Sequence, residues 1–281
     1  MKKQVLPLFA CLSVTAAFIA CNDQPAASNT EGKTTDSVKV RVKGEEVTYN
    51  SDTVTLKGYV AYNEMDSTKR PAVLIVPEWW GISDYTRGRA RQLAELGYVG
   101  MAVDMYGNGI EAGNPELAGK MATPFYKNPQ MAKARIDAAL AKLKSYPQVD
   151  TGKIAAIGYC FGGAVVLNVA RLGEDLKGVV SFHGNLVGVP AKKELLKAKV
   201  LVCHGADDKF VPQTEVDAFK KQMDSIGADY TFKAYPGATH AFTNPAATEN
   251  GKKFNLPIAY NAAADSASWK DMRDFFDKIF K

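Results

Sequence analysis

From residue 72 onward the chain alternates between two hydrophobic patterns: short unbroken apolar runs, and longer stretches with apolar residues every three or four positions. The runs Ala72–Val76, "YVGMAV" before Asp104, Ile154–Ile157, "GVVSF" and "VLVC" have no polar alternation, which predicts strands buried on both faces. The longer stretches predict helices over 84–96, 128–145, the apolar residues after Cys160, 213–226 and 262–280. Ser83 or Asp84 supplies an N-cap for the first helix and Gly97 a stop, and Pro147 closes the second. "YTFKAYPG" predicts a last strand. Ahead of all this, "EEVTYNSDTVTLKGYVAY" alternates with period two around Asn50-Ser51-Asp52, a hairpin signal. Residues 111–127 keep no steady period and are expected to be irregular, with at most one short helix.

Buried strands alternating with helices predict an α/β protein with a mostly parallel sheet. A leading hairpin followed by repeated βα units suits an eight-stranded α/β-hydrolase-type sheet flanked by helices. With no internal repeat and no composition break after residue 43, residues 43–281 are expected to form one domain.

The first twenty residues follow another logic. Lys2 and Lys3 precede the apolar stretch "VLPLFACLSVTAAFIA", which is too short for a confident span and reads as an export signal over 1–20. Its end, "FIAC", resembles a bacterial lipoprotein box, although Phe18 departs from the usual aliphatic residue. The resemblance implies that Cys21 becomes the lipidated N-terminus, placing the protein in the bacterial cell envelope by its lipid alone. Residues 21–42, rich in Ser, Thr, Asn, Asp and Pro at their start, are expected to be a flexible tether. A conventional cleaved signal is the first alternative, and a retained membrane anchor the second.

Composition changes little. Hydrophobic residues make up 46% and charged residues 23%, which fits a globular domain with a sizeable core. The net charge of +5 falls to +3 once Lys2 and Lys3 are removed, and no basic run tracks a phosphate backbone, so nucleic-acid binding is not expected. The three histidines lie far apart, and no glycine-rich nucleotide fingerprint follows a strand, so neither a metal nor another cofactor is expected. A monomer acting on a small molecule is the simplest reading.

The chemistry gathers at "GYCFGG". Cys160 stands between Gly158 and Gly162, after a buried strand and before an apolar helix, as in the Gly-x-nucleophile-x-Gly elbow. A strand turning sharply into a helix strains the central residue and needs small neighbours. The helix N-terminus favours a thiolate there, and the Phe161 N–H faces the place where an oxyanion forms. An elbow nucleophile needs an acid and then a histidine further along the chain. "VCHGADDKFVP" offers Asp207 and Asp208, and "YPGATHAF" offers His240 in a turn beyond a strand. His183 and His204, at strand ends, read as hydrogen-bonded fillers or pocket lining.

Together "PEWWG", "GYCFGG", "HGADDKFVP" and "PGATHAF" resemble the dienelactone hydrolase family of α/β-hydrolases over roughly residues 45–281. The resemblance implies a Cys160–Asp208–His240 triad, because the family's acid precedes x-F-V-P, which leaves Asp207 as a turn or capping residue. It implies that Glu78 assists activation of the thiol and that the Trp79 N–H completes the oxyanion hole with Phe161. The implied activity is ester or lactone hydrolysis through a thioester. Trp80, Tyr106 and Asn244 are candidate substrate contacts. Asn244 stands where the family carries an arginine for the substrate carboxylate, so the dienelactone substrate itself need not carry over.

Two other readings compete: a lipoprotein that binds a small ligand in an inactive hydrolase pocket, and a redox protein pairing Cys160 with Cys203. A strand between the two cysteine-bearing strands would hold them ~9–10 Å apart, past the ~7 Å Cα separation of a disulfide. Cys203 is therefore expected to be a buried filler, and Cys11 lies within the signal.

Overall fold

A computed structural model describes residues 40–281. The proposed signal, the lipid-accepting Cys21 and nearly all of the tether lie outside the described residues. Fifteen elements follow in order: β1 (Val42–Ser51), β2 (Val54–Asn63), β3 (Arg70–Val76), α1 (Asp84–Glu95), β4 (Val99–Ala102), α2 (Pro115–Lys127), α3 (Pro129–Lys144), β5 (Val149–Tyr159), α4 (Phe161–Arg171), β6 (Gly178–Phe182), β7 (Lys199–Gly205), α5 (Gln213–Ser225), β8 (Tyr230–Tyr235), α6 (Ala247–Phe254) and α7 (Ala262–Ile279). The strands form one eight-stranded sheet in the order β1-β2-β4-β3-β5-β6-β7-β8. The hairpin β1–β2 joins β4 antiparallel, and every pairing from β4 to β8 is parallel. This is the α/β-hydrolase-type architecture expected from the pattern.

The unbroken apolar runs divide by parity. Leu74, Ala156, Val179 and Val202 point into a core packed by α2, α3, α4 and α5, whereas Ile75, Ile157, Val180 and Leu201 point into a second core packed by α1 and α7. Both faces of these strands are dry, which is why no polar alternation survives in them. Burial of this kind supplies the main drive to fold, at roughly 25 cal/mol per Å² of apolar surface.

The elements depart from the sequence pattern in four places. The hairpin turns one residue later than expected, at Asp52-Thr53, with Asp52 in the left-handed region at φ 51° and Ser51 pairing with Val54. β5 starts at Val149, where Arg70 pairs with Val149 before an irregularity in the β3–β5 register, and the polar Asp150–Lys153 stretch conceals this start. Residues 115–127, expected to be irregular, form a 13-residue helix. Its N-cap Asn114 accepts from the Leu117 N–H, Pro115 occupies the first turn, and Ala118, Ala122 and Phe125 turn inward. Finally, α6 was not expected. Only Ala247 and Gly251 of this helix are buried, so it lacks the apolar stripe that marks a helix in sequence.

At the β5–α4 corner, a Cβ on Gly158 would collide with the Gly162 carbonyl, and one on Gly162 would collide with the Val76 and Pro77 carbonyls. Gly158→Ala and Gly162→Ala are each expected to lower the unfolding free energy by about 1–3 kcal/mol. Gly88→Ala, on α1 with open space at its Cβ, is expected to raise it by up to about 1 kcal/mol. Urea titrations of the three variants check the contrast.

Candidate active site

A parallel sheet ends all its strands on one edge, and loops leaving that edge converge. Glu78 follows β3, Cys160 follows β5, His183 follows β6, Asp208 follows β7 and His240 lies beyond β8. Cys160 takes φ 53° and ψ −114°, which is strained for a residue with a side chain. Its N–H donates to the Phe182 carbonyl (3.0 Å) and to Nδ1 of His183 (3.1 Å). Its carbonyl accepts from Gly163 and Ala164, starting α4. Phe161 is the first residue of α4, so its N–H has no carbonyl a turn earlier to bond.

His240 Nδ1 bonds to Oδ2 of Asp208 at 2.8 Å, and the other carboxylate oxygen accepts the Phe210 N–H at 2.8 Å. That orientation commits Nδ1 to the carboxylate and leaves Nε2 for the thiol. Burial alone would push the His240 pKa down; the Cys160 sulfur and the Asp208 carboxylate reverse this and hold it up to about 10. Both partners therefore favour the imidazolium. Asp207 is exposed beside this pair, and its N–H bonds to the Ala238 carbonyl, a turn contact.

Glu78 is buried, and desolvation lifts its pKa to about 7 against the pull of Asn244, His240 and Arg89. Asn244 donates from Nδ2 to Oε2 of Glu78 (2.6 Å), while its own Oδ1 accepts the Ala246 N–H (2.9 Å). The backbone bond fixes which end of the amide faces Glu78.

A cavity of about 310 Å³ opens over Cys160, lined also by Glu78, Trp79, Trp80, Gly119, Ala122, Thr123, Tyr126, Asn185, Phe210, His240, Ala241, Leu256 and Ile258. Neither lysine nor arginine is in this lining. Trp80 packs edge-on to Trp79 at 5.1 Å and stacks on Phe254 at 5.8 Å. On its far side lies a second cleft, where Asp84, Asn244 and Lys253 appear.

Two of the expected substrate contacts are corrected by this arrangement. Tyr106 does not line the cavity. Its hydroxyl donates to the Trp79 carbonyl (2.8 Å) and its ring packs against Phe125 and Phe161, so it braces the Trp79 loop from behind. Asn244 is engaged with Glu78 and lines the neighbouring cleft instead. Trp80 does line the cavity.

The two cysteines among the described residues, Cys160 and Cys203, are unrelated. β6 lies between β5 and β7, and both thiols are free. Cys203 is fully buried, and burial pushes its thiol up to about 12. His204 packs against Phe232, away from the cavity.

The family model described as the dienelactone hydrolase family matches residues 56–280. The chain belongs to the dienelactone hydrolase family. Among relatives, a putative carboxymethylenebutenolidase of Methylorubrum extorquens is 26% identical over 217 residues, covering 73% of this chain and 71% of that one. A solved dienelactone hydrolase-like promiscuous phosphotriesterase, P91, from metagenomic libraries is 33% identical with a TM-score of 0.80, covering 85% of this chain and 99% of that chain. A putative dienelactone hydrolase from Klebsiella pneumoniae shares the fold at 23% identity and a TM-score of 0.73, covering 84% and 99%.

Sequence reading did not find the cavity walls of this family member supplied by Tyr126 of α2 and by Leu256 and Ile258 after α6. It also gave His183 no specific role, although the "SFHG" strand end carried the signal: a histidine one residue past a buried strand.

Glu78 and His240 share one sign of pH dependence. Each folded pKa lies above its unfolded value, so each contributes stability present at low pH and lost as pH rises, from 4.5 to about 7 for Glu78 and from 6.5 to about 10 for His240. Glu78→Gln is expected to remove the first loss, gaining on wild type between pH 4.5 and about 7 by up to about 3 kcal/mol and then levelling off. Urea unfolding across that range checks this.

Proposed function

We propose that the protein hydrolyses neutral carboxylic esters or lactones through Cys160, with His240 as base and Asp208 as its orienting acid. The observation that carries this reading is the pairing of His240 with Asp208 at the mouth of the strained Cys160 corner. His240 takes the thiol proton, and the thiolate attacks the carbonyl carbon. The N–H groups of Phe161 and Trp79 receive the oxyanion. As the tetrahedral adduct collapses, His240 returns its proton to the departing alkoxide and a thioester remains on Cys160. Water, deprotonated by His240, then attacks the thioester and releases the acid. Thiolate leaves more readily than alkoxide, so reactive acyl groups such as enol esters suit this nucleophile better than amides.

The cavity supports the neutral substrate class. Its walls are mainly aromatic and aliphatic, its carboxylate is Glu78, and no lysine or arginine lines it. A substrate carboxylate placed there would lose its hydration without gaining a lysine or arginine partner, and the charge on His240 is already engaged by Cys160 and Asp208. The buried Glu78 carboxyl, beside His240 and with a pKa near neutrality, suits a group that exchanges a proton during activation of the thiol. We further propose that the mature chain begins at lipidated Cys21 and is held in the bacterial envelope by that lipid, with residues 21–42 as a tether. This rests on the signal-like pattern of residues 1–21.

Cys160→Ala is expected to abolish turnover of p-nitrophenyl butyrate. Mass spectrometry of the wild type in single turnover should find a butyryl adduct on Cys160. Ester release at the same rate in the alanine variant would refute the mechanism. Mono-p-nitrophenyl succinate, which carries a carboxylate, is expected to show a kcat/KM at least about tenfold lower than the neutral ester. Equal values would refute the neutral class. Cys21→Ala should move the protein from the membrane fraction to the soluble one, as read by fractionation.

A further inference from the structure

The site contains a second histidine that touches the nucleophile's backbone. His183 is 1% exposed, lies immediately beyond β6 and takes a positive φ of 41°. Its own N–H bonds to the Cys203 carbonyl at 2.8 Å, pinning it to β7. Nδ1 accepts the Cys160 N–H at 3.1 Å. Because a backbone N–H can only donate, Nδ1 carries no proton, and the ring proton resides on Nε2. Nε2 faces Thr243 Oγ1 at 2.8 Å, which therefore accepts from it, as it also does from the Tyr85 hydroxyl at 2.7 Å. The Thr243 carbonyl is held in turn by the Arg89 guanidinium. The groups around the ring are thus settled: Cys160, Thr243, the His240 ring at 5.3 Å, Tyr159 at 6.1 Å and Phe242 at 5.3 Å. The ionisable neighbours are Cys160, His240, Tyr159 and, through Thr243, Tyr85 and Arg89.

We infer that His183 is a positioning residue: held as the neutral Nε2–H tautomer by Thr243, it clamps the Cys160 N–H and so sets the direction of the thiol and of the Phe161 N–H. The inference rests on Cys160 being the nucleophile. The mechanical reason lies in the backbone. Rotation about φ of Cys160 swings both its side chain and the following peptide, which carries the Phe161 N–H. A residue at φ 53° and ψ −114° lies outside the left-handed well, whose ψ is positive, so hydrogen bonds must supply the restoring force. The Phe182 carbonyl shares the same N–H, but it is fixed at the end of β6, which pairs with β5 and β7. The His183 ring instead packs edge-on against the His240 ring at 5.3 Å. A protonated His183 would lose its acceptor nitrogen and set a cation against the His240 imidazolium. Burial, reinforced by His240, keeps it neutral by holding its pKa well below the usual histidine value.

Two substitutions separate clamp from filler. An asparagine oxygen can occupy the place of Nδ1 and keep the acceptor, whereas a glutamine amide reaches the place of Nε2 and keeps only the Thr243 contact. With p-nitrophenyl butyrate, His183→Gln is expected to lower kcat by about 10- to 100-fold with KM within about twofold. His183→Asn is expected to stay within about threefold of wild-type kcat. Melting temperatures are recorded alongside, because asparagine also tolerates positive φ better. Equal kcat losses in both variants, or none in either, would overturn the inference. Should either variant not fold, long-range ¹H–¹⁵N spectra of the wild type decide. An unprotonated Nδ1 and protonated Nε2 at His183 from about pH 5 to about pH 9 support the clamp, and an Nδ1–H tautomer or an imidazolium overturns it. The acyl adduct on wild-type Cys160 is the control. An adduct elsewhere refutes the nucleophile assignment and this inference with it. An adduct on Cys160 with the wrong variant pattern or tautomer refutes this inference alone.

Discussion

The close approach of α4 to the ends of β3 and β5 is the constraint on which the rest of the site depends. Gly158 and Gly162 let backbone pass within contact of backbone, bringing the first turn of the helix against the Val76 and Pro77 carbonyls. That approach places the Cys160 corner beside the Glu78–Trp79 loop, so that Cys160, Glu78 and Trp79 line one cavity. It also forces Cys160 into positive φ. Positive φ recurs at Ala241, which lines the same cavity, and at His183, which bonds to the Cys160 N–H, in keeping with the tendency of unfavourable backbone to gather where a fold is shaped for chemistry.

How far the sequence could be read depended on how each element is held. β3, β6 and β7 are dry on both faces, and their apolar runs announced them. The corner announced itself because its glycines answer a steric demand that no other residue meets. Motif order led to an acid and then a histidine after the corner, since the fold presents its strand ends in a fixed succession, whereas the choice of Asp208 over Asp207 came from the family resemblance. α2 and α6 were harder to see. α2 depends on its Asn114 cap and three inward residues, and α6 on tertiary contacts around Ala247 and Gly251. Asn244 could not be understood from the chain because its partner, Glu78, lies 166 residues away and the bond is made only by folding. Tyr106 was misjudged for a related reason: an aromatic near a site lines it or braces it according to where one hydroxyl finds an acceptor.

Three buried ionisable side chains gather around Cys160, and their surroundings push them apart. Glu78 is raised by desolvation, His240 is raised by its anionic partners despite burial, and His183 is lowered by burial and by His240. At neutral pH one histidine is thereby suited to carrying a proton and the other to remaining neutral. A carboxyl that can gain or lose its charge at modest cost stands beside them. Separation of this kind lets similar groups take different parts in one reaction.

The groups proposed to carry the chemistry stand on segments that follow the parallel strands β3, β5, β7 and β8, whereas much of the cavity wall comes from α2 and from the segment following α6. Descent can therefore act on the two sets separately. Tyr126, Leu256 or Ile258 can be exchanged without disturbing the strand ends, while exchange at Gly158 or Gly162 disturbs both fold and site. Lineages sharing this corner would be expected to diversify in what they accept well before they diversify in how they react.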